Sequence, residues 1–147
     1  DSQIVGLRYF NVYGPNEQHK GRMASVAFHL HQQLKESQYI KLFKGSDGYE
    51  DGEQKRDFIY VKDVAKAFTA TMLSDNTGNG EVINIGTGIT TTMEQIANTI
   101  GGEVKFIPRR NFEVEAHQAD MTNCYKLIDW KPEVKVLEWL SNFVKDI

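Results

Sequence analysis

Cysteine is almost missing from this chain. The one present, Cys124, cannot form a disulfide within the chain, which suits a reducing, cytoplasmic setting. With no His or Cys beside it, its thiol is expected as a small buried hydrophobe rather than a nucleophile. A basic excess is missing too. Lys and Arg number 17 against 20 Asp and Glu, a net charge of −3, which argues against a dedicated nucleic-acid binder. No apolar run approaches the ~20 residues of a membrane span. Residue 1 is Asp, followed at once by the strand-like SQIVGLRYF, so no signal peptide is expected and the chain looks like the middle of something longer. Several chemical signatures are absent as well. There is no G-x-G-x-x-G opening a helix, no G-x-x-x-x-G-K-[ST] and no G-x-S-x-G. His19, His29, His31 and His117 lack ligand spacing, and His29 and His31 point in different directions on a helix, so no metal site is expected.

What is present reads as one α/β domain, 147 residues long, with mainly parallel strands. Residues 4–10 form a short, apolar, buried strand closed by Asn-x-Tyr-Gly-Pro. Met23, Val26, Ala27, Leu30 and Leu34 mark an amphipathic helix over 23–36. Residues 39–43 follow as a strand, and KGSDGYEDGEQK (44–55) as an exposed, mobile loop. RDFIYV (56–61) is a strand. The next helix opens at an Asp63 N-cap and carries Val64, Ala67, Phe68, Thr71 and Met72 on one side. EVINIG (81–86) is a strand after the NTGNG turn. Thr91-x-x-Glu94 reads as a capping box before the stripe Met93, Ile96, Ala97, Ile100, with Gly101-Gly102 as the stop. A strand over 103–107, a short helix near 122–129 and a last helix aligning Leu137, Leu140, Phe143, Val144 and Ile147 complete the pattern.

Residue types alone point weakly to chemistry. NIGTG (84–88) lies between a strand and a helix, but two glycines there read better as a tight turn. Arg56 could grip a phosphate with parallel hydrogen bonds, or pair with Asp57 or a loop carboxylate. Lys20, a loop lysine, reads as a solvated charge. His29 flanks the apolar stripe of its helix, as a surface or site residue would.

Four ordered segments carry a resemblance: LRYFNVYGP (7–15), RDFIYVKDVAKA (56–67), NIGTG (84–88) and QADMTNCYKLIDWKP (118–132). Together they resemble the C-terminal part of an NAD(P)-binding, Rossmann-like extended short-chain dehydrogenase/reductase acting on nucleotide sugars. HKGRMASVAFH (19–29) and LFKGS (42–46) are similar to the ADP-L-glycero-D-manno-heptose 6-epimerase family in particular. The resemblance implies epimerisation at C6 of ADP-D-glycero-D-manno-heptose, a lipopolysaccharide inner-core precursor, by transient oxidation and re-reduction through NADP. It implies Lys20 as the catalytic acid/base, Val12 beside the nicotinamide, and Asn11, Arg22, His29, Phe43, Lys44, Gly45, Ser46 and Arg56 around the substrate. Arg56 would take the diphosphate and the Phe43–Ser46 stretch the nucleotide. Two departures stand out: Arg22 replaces a Ser common in relatives, and the family's tyrosine before QAD falls, by a gapless count, on Glu113.

The family's Gly-rich loop is not in this sequence. Nor is its Tyr-x-x-x-Lys pair, since Tyr9, Tyr13, Tyr39, Tyr49, Tyr60 and Tyr125 all lack a Lys four places on. The resemblance therefore implies final Rossmann elements over 1–14 and 57–87 and a substrate-binding lobe over 15–56 and 88–147. It also implies a homo-oligomer when whole, with no membrane or nucleic-acid partner. By itself the 147-residue chain is expected neither to hold NADP tightly nor to epimerise. Rival readings are a UDP-sugar 4-epimerase and a cofactor-free nucleotide-sugar-binding module.

Overall fold

A computed structural model describes residues 2–145. The expected alternation of strands and helices is present. Strand β1 (Ile4–Tyr9) runs parallel to β5 (Asn79–Ile85). Strand β2 (Asn11–Tyr13) runs parallel to β4 (Lys55–Tyr60), which also takes β6 (Thr90–Thr92) antiparallel and β8 (Ala116–His117) parallel. Strand β3 (Tyr39–Phe43) runs parallel to β7 (Glu103–Ile107). The helices are α1 (Val26–Ser37), α2 (Val61–Leu73), α3 (Met93–Ile100), α4 (Thr122–Leu127) and α5 (Val136–Lys145). The described residues include no helix long and apolar enough to cross a membrane.

Two apolar clusters organise these elements, and β4 is shared between them. Successive side chains of a strand face opposite sides. Phe58 therefore enters a cluster with Leu30, Ile40, Ile96 and Leu140, built by α1, α3, α5 and β3. Ile59 enters the other, with Ala67, Ile83, Ile85, Cys124 and Trp130, built by α2, α4 and β5. Each fully buried large aliphatic side chain contributes about 1.5–3 kcal/mol. Cys124 is fully buried, as expected, and burial pushes its thiol up to about 11.

Several expectations need correction. Strand β1 is not buried: Ile4 is 66% and Tyr9 45% exposed. Val5 and Leu7 meet the second cluster, but the opposite face of the strand is open and β5 is its one described neighbour. Met23 is not in α1. It ends a 3-10 segment, Gln18–Met23, and is 86% exposed, because Ser25 caps the helix by accepting from the Phe28 N–H at 3.2 Å. Asp63 is not an N-cap. Tyr60 holds that position, and Asp63 reaches across the chain to accept from the amides of Glu133 and Val134, each at 2.9 Å. On the same helix Phe68 and Met72 are exposed, and with Val5, Leu7 and Tyr9 they line a groove of about 500 Å³. The capping box of α3 lies one residue later than expected. Thr92 Oγ1 accepts from Gln95 N at 3.1 Å, and Gln95 Oε1 accepts from Thr92 N at 2.9 Å, while Thr91 is spent in β6 opposite Arg56. The 44–55 loop is tied down at Gln54, which is buried and donates to Lys44 O at 3.1 Å. Helix α5 buries Leu140, while Ile147 lies outside the described residues.

One buried group links stability to pH. His31 is 5% exposed, and its ring meets Phe143 edge-on at 5.4 Å. Burial, then the charge of Lys35, holds its imidazole below the ordinary value. As pH falls through about 6.5, the unfolded chain takes up a proton that the folded chain resists, so stability drops. The urea midpoint should decline between pH 7 and 5, and His31→Phe should flatten that decline. An equal decline in the variant would remove His31 as the cause.

Candidate functional site

The opening segment builds the first group of residues. Strand β2 puts Asn11 opposite Phe58 and Val12 opposite Ile59. Asn11 Nδ2 donates to the Asp57 carbonyl at 2.9 Å, so its amide is fixed against the sheet. Val12 is half-buried. Tyr13 is fully buried; burial first, then the Asp63 and Tyr60 charges, push its phenol far above the ordinary value, which removes it as a proton carrier. The chain then turns at Gly14-Pro15. Gly14 sits so close to Val61 that a Cβ would meet Val61 Cγ1 at 2.5 Å.

Lys20 follows in the 3-10 segment, its side chain 35% exposed and its Nζ 3.4 Å from Glu17 Oε1. Arg22 is exposed, and its carbonyl lies 3.4 Å from His29 Nε2, across the start of α1. Glu17, which sequence reasoning passed over, is 2% exposed. Its position in a polar loop gave no periodicity to mark it. The spacing of a carboxylate three residues before Lys20 was the available signal.

A second group surrounds the FKGS stretch. The Arg110 guanidinium carbon lies 4.8 Å from the Phe43 ring centroid. Lys44 is exposed, and its main chain is held by Ile107 O and Gln54 Nε2. Gly45 lies against the main chain of the loop it opens: a Cβ there would sit 2.0 Å from Tyr49 O, so its glycine is explained by packing. Ser46 Oγ donates to Glu115 Oε1 at 2.7 Å and also contacts Arg109. Arg109 Nη2 pairs with Glu115 at 2.8 Å. Arg56 pairs neither with Asp57 nor with a carboxylate of the 44–55 loop, and its Nη1 donates to the Lys55 carbonyl at 2.8 Å. Its Nη2 lies 2.9 Å from Glu113 Oε1, while Arg110 Nη2 lies 2.9 Å from Glu113 Oε2. One carboxylate thus bridges two guanidiniums, the way a phosphate group would. The hydrogen bonds described tie residues 17–29 into one group and the FKGS stretch, Arg56 and 109–115 into another.

Asp57 was also missed as a key residue. It is fully buried, and its carboxylate accepts four hydrogen bonds: from Thr87 N (2.8 Å), Thr87 Oγ1 (2.7 Å), Gly88 N (2.8 Å) and Ala119 N (3.1 Å). The amides of the NIGTG turn therefore bind a carboxylate of this chain. Gly86 allows the approach, since a Cβ there would lie 3.0 Å from Asp57 Oδ2. A charged residue followed by Phe58 and Ile59 in a strand was the legible hint. Among the described residues, no cluster of His, Cys, Asp and Glu could hold a metal ion.

Comparison with known proteins gives these positions a context. The chain is 48% identical over 112 residues to the ADP-L-glycero-D-manno-heptose-6-epimerase of Alkalilimnicola ehrlichii, over 73% of this chain and 34% of that protein. The solved ADP-L-glycero-D-manno-heptose-6-epimerase of Helicobacter pylori matches with a TM-score of 0.76 and 31% identity, over 97% of this chain and 42% of that one. The UDP-N-acetylglucosamine 4-epimerase of Methanobrevibacter ruminantium matches with a TM-score of 0.80 and 31% identity, over 97% and 45%. The chain thus spans about a third of the curated relative and under half of each solved one. Residues 1–86 match the family model of the NAD dependent epimerase/dehydratase family, and the chain belongs to that family.

Proposed function

We propose that the intact protein epimerises ADP-D-glycero-D-manno-heptose at C6 by transient oxidation and re-reduction. The observation that carries the reading is the 48% identity over 112 residues to a heptose epimerase. The cofactor proposed is NADP. This chain offers it Val12 as one apolar wall, and the NIGTG turn offers it no phosphate cradle because Asp57 fills that turn. When bound, the cofactor supplies the hydride acceptor and donor.

The chain's own residues then have these proposed roles. Lys20 Nζ takes and returns the hydroxyl proton at C6. Asn11, Arg22 and His29 orient the sugar from the strand exit, the 3-10 segment and the first turns of α1. Arg56 receives the diphosphate, and Glu113 must yield or share its place for that to happen. Phe43 stacks on the adenine by the ring face that Arg110 leaves, beside Lys44, Gly45 and Ser46. The division into cofactor-side elements (1–14 and 57–87) and a substrate lobe (15–56 and 88–147) is also a proposal. The two clusters that share β4 support it, though residues 119–130 pack with the β5 cluster. A homo-oligomer is proposed for the intact enzyme.

The test is an assay of the intact enzyme with ADP-heptose and with UDP-galactose. Interconversion of the two C6 epimers of ADP-heptose is expected, with retained NADP. Turnover of UDP-galactose alone would transfer the chain to the 4-epimerases.

A further inference from the structure

We propose that Glu17 is a positioning residue for Lys20, holding the amine in place from beneath. The inference rests on the reading of Lys20 as the proton-transfer group. Glu17 is 2% exposed, an unusual place for a carboxylate without compensation. Its Oε1 accepts from Ser25 N at 3.0 Å and lies 3.4 Å from Lys20 Nζ, and its Oε2 accepts from Ser25 Oγ at 2.6 Å. Lys20 is the one cation recorded with it among the described residues.

The backbone makes this arrangement. In a 3-10 turn, side chains three residues apart eclipse, so positions 17 and 20 share an edge. Lys20 N donates to Glu17 O at 2.9 Å and closes that turn. Gly21 follows at φ 53°, ψ −127°, and redirects the chain immediately after the lysine. Ser25, held by the same carboxylate, accepts from Phe28 N and starts α1, which carries His29. One buried group thus fixes both the lysine and the origin of the helix beside it.

Capping alone does not require a charge. A glutamine could accept from Ser25 N through its oxygen and donate to Ser25 Oγ through its amide. The negative charge is therefore assigned to Lys20. A lysine has four rotatable bonds, and proton transfer needs its nitrogen within hydrogen-bond reach of one hydroxyl.

The test uses the intact enzyme and a double-mutant cycle. Glu17→Gln should lower kcat about tenfold or more, with KM changed by about twofold or less. Glu17→Asp, which keeps the charge, should retain more turnover than Glu17→Gln. In Lys20→Met, adding Glu17→Gln should lower kcat no further. This non-additivity is the decisive readout, because a merely structural loss would multiply with that of Lys20→Met whatever the change in thermal midpoint. A wild-type kcat in Glu17→Gln beside a crippled Lys20→Met overturns the inference, as do multiplying effects. A wild-type kcat in Lys20→Met overturns the reading of Lys20, and the inference with it.

Discussion

Lys20→Met in the intact enzyme is expected to lower kcat by about 10²–10⁴-fold, the usual worth of a positioned proton-transfer group. The fold should survive, because the Lys20 side chain is 35% exposed and makes one long polar contact, 3.4 Å to Glu17. Methionine keeps the length and apolar stem of lysine and removes only the amine. The substitution therefore separates proton transfer from packing. KM for the nucleotide sugar should change little, since the proposed contacts to the diphosphate and nucleotide are Arg56 and the FKGS stretch, outside the hydrogen-bonded group of Lys20. Steady-state kinetics checks both quantities. A kcat within about twofold of wild type would remove Lys20 from the mechanism.

Asp57→Asn is expected to destabilise the protein by about 3 kcal/mol or more. The carboxylate accepts all four of its hydrogen bonds, three from main-chain amides. An asparagine has one acceptor oxygen, and its amide nitrogen would face an N–H. Donors left unpaired in a buried site cost about 1–3 kcal/mol each. The geometry concentrates the effect, because the residues joined to Asp57 lie 30, 31 and 62 positions away and belong to two separate segments. A urea titration of wild type and variant reads it out. A loss below about 0.5 kcal/mol would show that solvent, or a shift of the turn, satisfies the donors. The same substitution should disturb Arg56, the adjoining residue, so weakened nucleotide binding should accompany the lost stability.

The regular elements were legible because their signals are local. The stripe Met93, Ile96, Ala97, Ile100 and the positive-φ pair Gly101-Gly102 define α3 within ten residues. Its cap was misplaced because Thr91 and Thr92 are each followed, three residues on, by a side chain fit for a capping box. Pairing of Thr91 with Arg56 in the sheet decides between them, and that is a tertiary fact. Asp63 was misread for the same reason. Its true partners are 70 and 71 positions away. The exposure of Ile4, Phe68 and Met72 was hidden because apolar residue types announce a covered face without saying what covers it. In the site, residue identities came from family resemblance, whereas the roles of Glu17, Asp57 and Glu113 emerged from geometry. Each is a carboxylate whose role depends on a donor brought to it by the fold.

The carboxylate bridging Arg56 and Arg110 has a kinetic consequence. Arg56, Arg109 and Arg110 are matched by Glu113, Glu115 and Asp47, so these six side chains carry almost no net charge between them. Their combined field attracts a dianion only weakly from a distance. On the proposed reading, these six side chains add little steering and little dependence on ionic strength to capture, and selectivity arises after contact, when a diphosphate trades places with Glu113.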